Sequence, residues 1–198
     1  MTGASRRPRM SQRHHGQRSV GRVIAVVNQK GGVGKTTTVI NLGACLASLG
    51  CRVLVVDMDP QGNATSGLGV DKARLSGTVY DCLHDSRPLS SVAVATRVER
   101  LWVAPATVDL AGAEVELVTA LARETRLKAC LDPVVSQYDY LLLDAPPSLG
   151  LLTINCLAAA QRVIIPIQCE FYALEGLNQL RHTLALVALV LNPGLQVL

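Results

Sequence analysis

Residues 23–38, VIAVVNQKGGVGKTTT, decide how the rest of the chain is read. Val23 to Val27 are apolar and mostly β-branched with no polar alternation, the pattern of a strand buried on both faces. A glycine-rich turn follows, Gly31-Gly32-Val33-Gly34, and then Lys35-Thr36-Thr37. Val39, Leu42, Leu46 and Leu49 then recur at helical spacing until Gly50 ends the pattern. Strand, glycine turn and helix are the context a phosphate-binding loop requires. Glycines let backbone N–H groups converge on a phosphate, and the helix N-terminus adds roughly half a positive charge. Lys35 has the length to reach β- and γ-phosphate oxygens, and the Thr36 hydroxyl suits a magnesium ion. The competing reading is a flexible glycine–lysine surface turn, which would need neither the flanking strand and helix nor the Lys-Thr pair.

At 198 residues the chain predicts one α/β domain with ample core. Aromatics are scarce and Val, Leu and Ala abundant, which suits a mostly parallel sheet sandwiched by helices better than a β-sandwich. The net charge of +4 is unevenly placed. Residues 1–22 hold six arginines and no acid, which leaves thirteen basic against fifteen acidic residues in the remainder. The expected organisation is therefore a disordered basic leader, 1–21, and a mildly acidic globular domain, 22–198. The leader lacks the apolar core of a signal peptide. An organelle transit peptide, a phosphate-contacting tail and a solvated tail without a role all remain open for it, the first opposed by Pro8 and Gly16. Cysteines 45, 51, 82, 130, 156 and 169 show no CxxC pair and no ligand spacing, and several lie inside apolar runs, where a free thiol packs as a small hydrophobe, so the chain reads as belonging to a reducing cytosol, with no metal–sulfur site. The longest apolar run, Leu184 to Leu191, is too short to span a bilayer, so no membrane role is expected.

Arg52 to Asp57 reads as a second buried strand, parallel to the first through a right-handed crossover. The polar turn Met58-Asp59-Pro60-Gln61-Gly62-Asn63 then lies at the carboxyl edge where open α/β sheets bind ligands. Asp57 and Asp59 could serve a metal shell and orient a water there, although Asp, Pro and Gly are also ordinary turn residues. Thr65 to Pro88 reads as loop with a short helix at Val79–Leu83, and Arg100 to Pro105 as a strand with Trp102 in the core. Helical spacing over Leu110, Glu114, Leu117 and Leu121 predicts a helix with its acids in solvent, and resumes through Leu127, Leu131 and Val135. Tyr140 to Leu143, ending in Asp144, is a Walker B pattern whose carboxylate suits magnesium, and Ala145-Pro146-Pro147 leaves the strand abruptly. Val163 to Ile167 predicts a further buried strand, Leu174 to Leu191 a helix, and Leu195 to Leu198 the opening of one more strand beside it.

The glycine loop departs from the common pattern, with Gln29 where a glycine is expected and a second lysine, Lys30, at its start. In this it resembles the deviant Walker A of the ParA/MinD superfamily of P-loop ATPases. From Val23 onward the chain is similar to the ParA/Soj-type partition ATPases, on the segments NQKGGVGKTTT, VDMDPQGNATSGLG, PATVDLAGAEVEL, LLLDAPPSLG and IPIQCEFYALEGL. DPQGN after the second strand favours ParA over the MinD-type site selectors. No cysteine follows the Walker B prolines, against the nitrogenase iron-protein branch.

The resemblance implies an ATP-dependent, magnesium-dependent ATPase that forms a homodimer on ATP and acts in chromosome or plasmid partitioning. It implies that Gly31, Gly32, Val33, Gly34, Lys35, Thr36 and Thr37 cradle the phosphates, with Thr37 at the α-phosphate, and that Lys30 reaches the partner's nucleotide. Asp59 would position the attacking water, Thr36 would ligate magnesium, and Asp57 and Asp144 would support the metal shell. Glu170 lies in a family motif without an assignable role. Adenine over guanine rests on the resemblance alone. A ParB-type partner, a cytoplasmic location and, in relatives, non-specific binding to nucleoid DNA belong to the same picture. Relatives continue past Leu198, so the fold is expected to be incomplete at the C-terminus, without the family's basic DNA surface and with an exposed sheet edge. Two other readings stay open: a nucleotide-binding regulator without turnover, and another deviant Walker A enzyme, MinD-like or acting on small molecules by amidation or a kinase-like transfer.

Overall fold

The computed structural model describes residues 21–85, 87–168 and 173–198, with side chains for all of these but 173–175. The leader up to residue 20, Cys169 and Glu170 lie outside the described residues. The sheet runs β3-β4-β2-β5-β1-β6-β7, with β3 antiparallel to β4 and every other pair parallel. Its strands are β1 (Arg22–Val26), β2 (Val53–Asp57), β3 (Val94–Ala95), β4 (Leu101–Ala104), β5 (Tyr140–Asp144), β6 (Arg162–Ile164) and β7 (Gln196–Val197). The helices are α1 (Lys35–Ser48), α2 (Asn63–Gly67), α3 (Val79–Asp85), α4 (Leu110–Glu116), α5 (Arg126–Leu131), α6 (Leu151–Ala159) and α7 (Ala173–Val190).

Successive side chains of a strand point to opposite faces, and the core divides accordingly. Ile24, Val26, Val53, Val55 and Leu142 pack with Val39 and Ala47 of α1 and with Ala64 of α2. Val23, Ala25, Leu54, Val56, Leu141 and Leu143 pack on the opposite face with residues of α3, α4, α5, α6 and α7. The central strands therefore have no wet face, and their unbroken Val/Leu runs follow from that. Gly43 lets α1 lie close to the sheet. A methyl group there would come within 3.3 Å of Leu101, 3.4 Å of Val55 and 3.6 Å of Leu142.

Several boundaries differ from the sequence expectation. Helix α2 occupies part of what reads as loop, and β3 is a two-residue antiparallel edge within another loop. Helix α6 lies between β5 and β6, where no element is predicted. Strand β6 ends at Ile164 instead of Ile167, because the chain turns away to place the Pro166 carbonyl 2.7 Å from Asn28 Nδ2. The helix begun at Leu110 stops at Glu116, and Glu114 does not face solvent: its Oε1 is buried against Gly150 at the start of α6. Strand β7 pairs with β6 as expected, Arg162 opposite Gln196. Cys45, Cys51, Cys82, Cys130 and Cys156 are free thiols, the last three buried. Among the described residues no helix is long and apolar enough to cross a membrane.

Candidate functional site

All five parallel strands from β4 to β6 end on one edge, and the predicted residues gather there. The loop after β1 is held from both sides. Asn28 Oδ1 accepts from the Lys30 amide at 3.0 Å, and Gln168 Nε2 donates to the Gly32 carbonyl at 3.2 Å. Gly32 and Gly34 adopt left-handed φ of 76° and 90°, and extra Cβ atoms on Gly31, Gly32 or Gly34 would meet nothing within 4 Å. The concavity is thus open, and the backbone that lines it favours glycine. Gly34 precedes α1, which has no side-chain cap and no acid in its first turn. Its first N–H groups are left for an anion.

Lys35 points into this concavity and is buried, with Nζ donating to the Lys30 carbonyl at 3.1 Å. Burial lowers its pKa, opposed by the charges of Asp144 and Asp59. Thr36 is half-buried beside Asp144, and Thr37, in the first turn of α1, is exposed. Lys30 and Val33 complete the loop, Lys30 exposed and Val33 buried.

Asp57 and Asp144 close β2 and β5 and stand opposite each other in register. Both are buried, yet their surroundings differ. Asp57 Oδ2 accepts from the Thr65 amide at 2.8 Å and from its hydroxyl at 2.7 Å, while Oδ1 accepts from the Asp59 amide at 3.2 Å. Burial raises its pKa to about 6 against those hydrogen bonds. Asp144 has neither oxygen in a well-formed hydrogen bond. Burial raises it to about 7, Asp57 and Asp59 adding to the rise, while the nearby Thr36 hydroxyl and Lys35 favour the charged form. Asp59 is buried and accepts from the Gln61 amide at 2.9 Å, which folds the turn after β2 back on itself.

A buried carboxylate with no donor is costly unless something positive completes it. Asp144, next to a threonine hydroxyl and a loop open to phosphate oxygens, is the donor set magnesium takes: one carboxylate, one hydroxyl and oxygens of substrate and water. The residues fit that ion. Among the described residues no three His, Cys, Asp or Glu side chains form a self-sufficient metal cluster.

Thr65 escapes sequence reasoning as a site residue. It sits in α2, and its hydroxyl both donates to Asp57 and accepts from the Ala106 amide at 3.0 Å, tying the turn after β2 to the segment after β4. The available signal was its place within VDMDPQGNATSGLG, followed by another polar segment, PATVDL, at the same sheet edge.

The model of an AAA domain family matches residues 21–197. The chain is 59% identical over 178 residues to the sporulation initiation inhibitor protein Soj of Bacillus subtilis, covering 90% of this chain and 70% of that protein. It is 58% identical over 181 residues to the chromosome partitioning protein ParA of Myxococcus xanthus, covering 91% of this chain and 64% of that protein. Among solved structures, cobyrinic acid a,c-diamide synthase from Mycobacterium smegmatis with bound ATP analogue and magnesium superposes with a TM-score of 0.86 at 46% identity, over 90% of this chain and 72% of that one. By loop, paired carboxylates and kinship together, the chain belongs to the AAA-domain family of the ParA/Soj-type partition ATPases.

Proposed function

We propose that this chain hydrolyses ATP with magnesium, pairs with a second copy of itself on ATP, and serves DNA partitioning. The observation that carries the reading is the Asp144 carboxylate, buried and without a well-formed hydrogen bond, beside Thr36 and a glycine loop open to phosphates. Lys35 neutralises the β- and γ-phosphate oxygens, and the N–H groups of Gly32 to Thr37 surround them. Thr36 and Asp144 hold the magnesium, which when bound spreads the charge developing on the transferred phosphoryl group. Asp57 already accepts three hydrogen bonds from Thr65 and Asp59, so it supports this shell from behind. Asp59 orients the attacking water, and Lys30 acts across the dimer on the partner's nucleotide, a lysine in the position an arginine finger takes elsewhere.

A ParB-type partner with a basic N-terminal peptide and non-specific DNA are the effectors this reading names, in the cytoplasm and on the nucleoid. Phosphate release by the 198-residue chain with magnesium and ATP, before and after adding duplex DNA and such a peptide, tests it. Stimulated turnover supports the partition ATPase. ATP binding with no phosphate release under any of these conditions overturns turnover in favour of a nucleotide-bound regulator.

A further inference from the structure

The two carboxylate-bearing loops of the site lean on one helix. Ahead of α4, the Ala106 amide donates to the Thr65 hydroxyl at 3.0 Å, and a Cβ on Gly62 would come 2.5 Å from the Ala106 carbonyl. Gly62 belongs to the turn that carries Asp59. Further on, α4 itself meets the start of α6: a Cβ on Gly150 would overlap Glu114 Oε1 and lie 3.3 Å from Glu114 Cδ. Residues 145–150 join Asp144 of β5 to α6. The segment leading into α4 therefore packs on one loop, and Glu114 of α4 packs on the other.

Glu114 Oε1 is buried in that contact and accepts no hydrogen bond. Beside it begin the first-turn N–H groups of α6, which have no acceptor within their own helix. No side chain caps them, no acid stands in that turn, and the N-cap residue is Gly150, which brings no side chain of its own. The corner is held only loosely from within: the Thr153 hydroxyl donates to the Ser148 carbonyl at 2.8 Å, and the Gly150 amide reaches the Ser148 hydroxyl at 3.4 Å. A buried acceptor and open donors thus lie side by side without being joined, although joining them would satisfy both. A purely structural cap accounts for an acid in this place, but such a cap would be closed. Leaving a buried carboxylate oxygen unsatisfied is unfavourable, and this one stands at the end of the segment that leaves Asp144.

We propose that Glu114 is a positioning residue for phosphoryl transfer: its carboxylate takes the open N–H groups of α6 when nucleotide and magnesium fill the site, and so fixes residues 145–150 and the Asp144 carboxylate from which they lead. Glu114 acts through that backbone and not on the phosphates themselves. The movement required is small, because Oε1 already abuts Gly150. A carboxylate suits the positive end of a helix, and its bonds to backbone N–H groups are stronger than those of a neutral acceptor. Glycine stands at 150 for this close approach and not for its backbone, whose φ of −74° suits any residue. Because the segment leading into α4 also holds the turn of Asp59, one helix ties the water-positioning side of the site to the metal side. The inference rests on the ATPase reading for the reaction it serves, while the contact itself needs no turnover.

The test uses the full 198-residue chain with magnesium and ATP. Glu114→Ala is expected to lower kcat about ten- to a hundredfold, the range for a small misplacement of reacting groups, with KM held within about twofold. Glu114→Gln keeps an acceptor oxygen of the same reach and should retain most of the rate. Gly150→Ala should copy Glu114→Ala, because the new methyl group expels the carboxylate, and the two substitutions together should be no worse than either alone. Mant-ATP binding and thermal melts report folding, and Gly150→Ala serves if Glu114→Ala does not fold. A folded Glu114→Ala with the wild-type kcat, or losses that multiply in the double variant, overturn the proposal. Amide hydrogen exchange at Leu151, Leu152 and Thr153, with magnesium and a non-hydrolysable ATP analogue, reads the contact apart from turnover. Exchange should slow by about tenfold on adding the analogue to the wild type and not to Glu114→Ala. Equal exchange in the two proteins overturns the contact even if the chain hydrolyses ATP. Slowing in the wild type without any phosphate release supports the contact and overturns turnover alone.

Discussion

The two lysines of the glycine loop are joined to each other: Lys35 Nζ donates to the main-chain carbonyl of Lys30 at 3.1 Å. Lys35 is buried and aimed inward, while Lys30 is exposed at the loop's rim. Their substitutions should therefore separate. Lys35→Ala removes a charged donor from the concavity and should weaken ATP about a hundredfold, at the upper end of ~1.5–3 kcal/mol per charged hydrogen bond. Lys30→Ala should leave binding to the monomer nearly unchanged and abolish dimerisation on ATP and hydrolysis. Nucleotide titrations beside light scattering and phosphate release separate the pair, and normal hydrolysis by Lys30→Ala would remove the proposed action across the dimer.

Asp59 is buried in a turn that it closes through the Gln61 amide, clear of direct bonds to Asp144. Asp59→Ala should keep ATP bound while turnover falls by about a hundredfold, the low end for losing a group that positions a proton-transferring water. Equal loss of binding and turnover would place Asp59 in the metal shell instead.

Asp144 makes stability and ligand affinity run in opposite directions with pH. Its folded pKa of about 7 lies above the ordinary 3.8, so between those values the folded state holds more protons than the unfolded one. Stability of the metal-free, nucleotide-free protein should then fall as pH rises from about 4 to 7 and level off above. Magnesium requires the ionised carboxylate, so affinity for magnesium and ATP should rise through the upper part of the same window. Denaturant melts from pH 5 to 8 on the wild type and Asp144→Asn check the first effect, since the amide should flatten the slope.

Thr65→Val preserves shape but leaves the Ala106 amide without its acceptor and takes a donor from Asp57. The expected loss is about 1–3 kcal/mol, the cost of stranding a buried polar group. A urea midpoint unchanged from wild type would show that water replaces the hydroxyl.

Sequence pattern was most informative where burial is uniform. β1, β2 and β5 are apolar on both faces and end in the loop or in Asp57 and Asp144, so strand and site are legible together. Helix α6 was not, because Leu151 to Ala159 is apolar almost all round and presents no polar stripe to mark its period. Helix α2 and β3 are too short for any periodicity, and they are held by contacts across the sheet edge, Thr65 to Ala106 and Val94 to Val103. Glu114 misled because an acid on an amphipathic helix is expected in water, whereas this one is buried against the start of α6.

Gly43 makes α1 a lever with its fulcrum on the sheet. The first residue of that helix, Lys35, lies eight residues away, about 12 Å along the axis. A methyl group at 43 would meet the Leu101 side chain at 3.3 Å, tighter than most packed contacts, so a few tenths of an ångström must be found, and α1 can supply them by tilting or lifting. Either movement displaces the phosphate-facing end, although no atom near a phosphate has changed. Gly43→Ala should therefore act as a shim, shifting affinity for ATP out of proportion to its effect on the melting point.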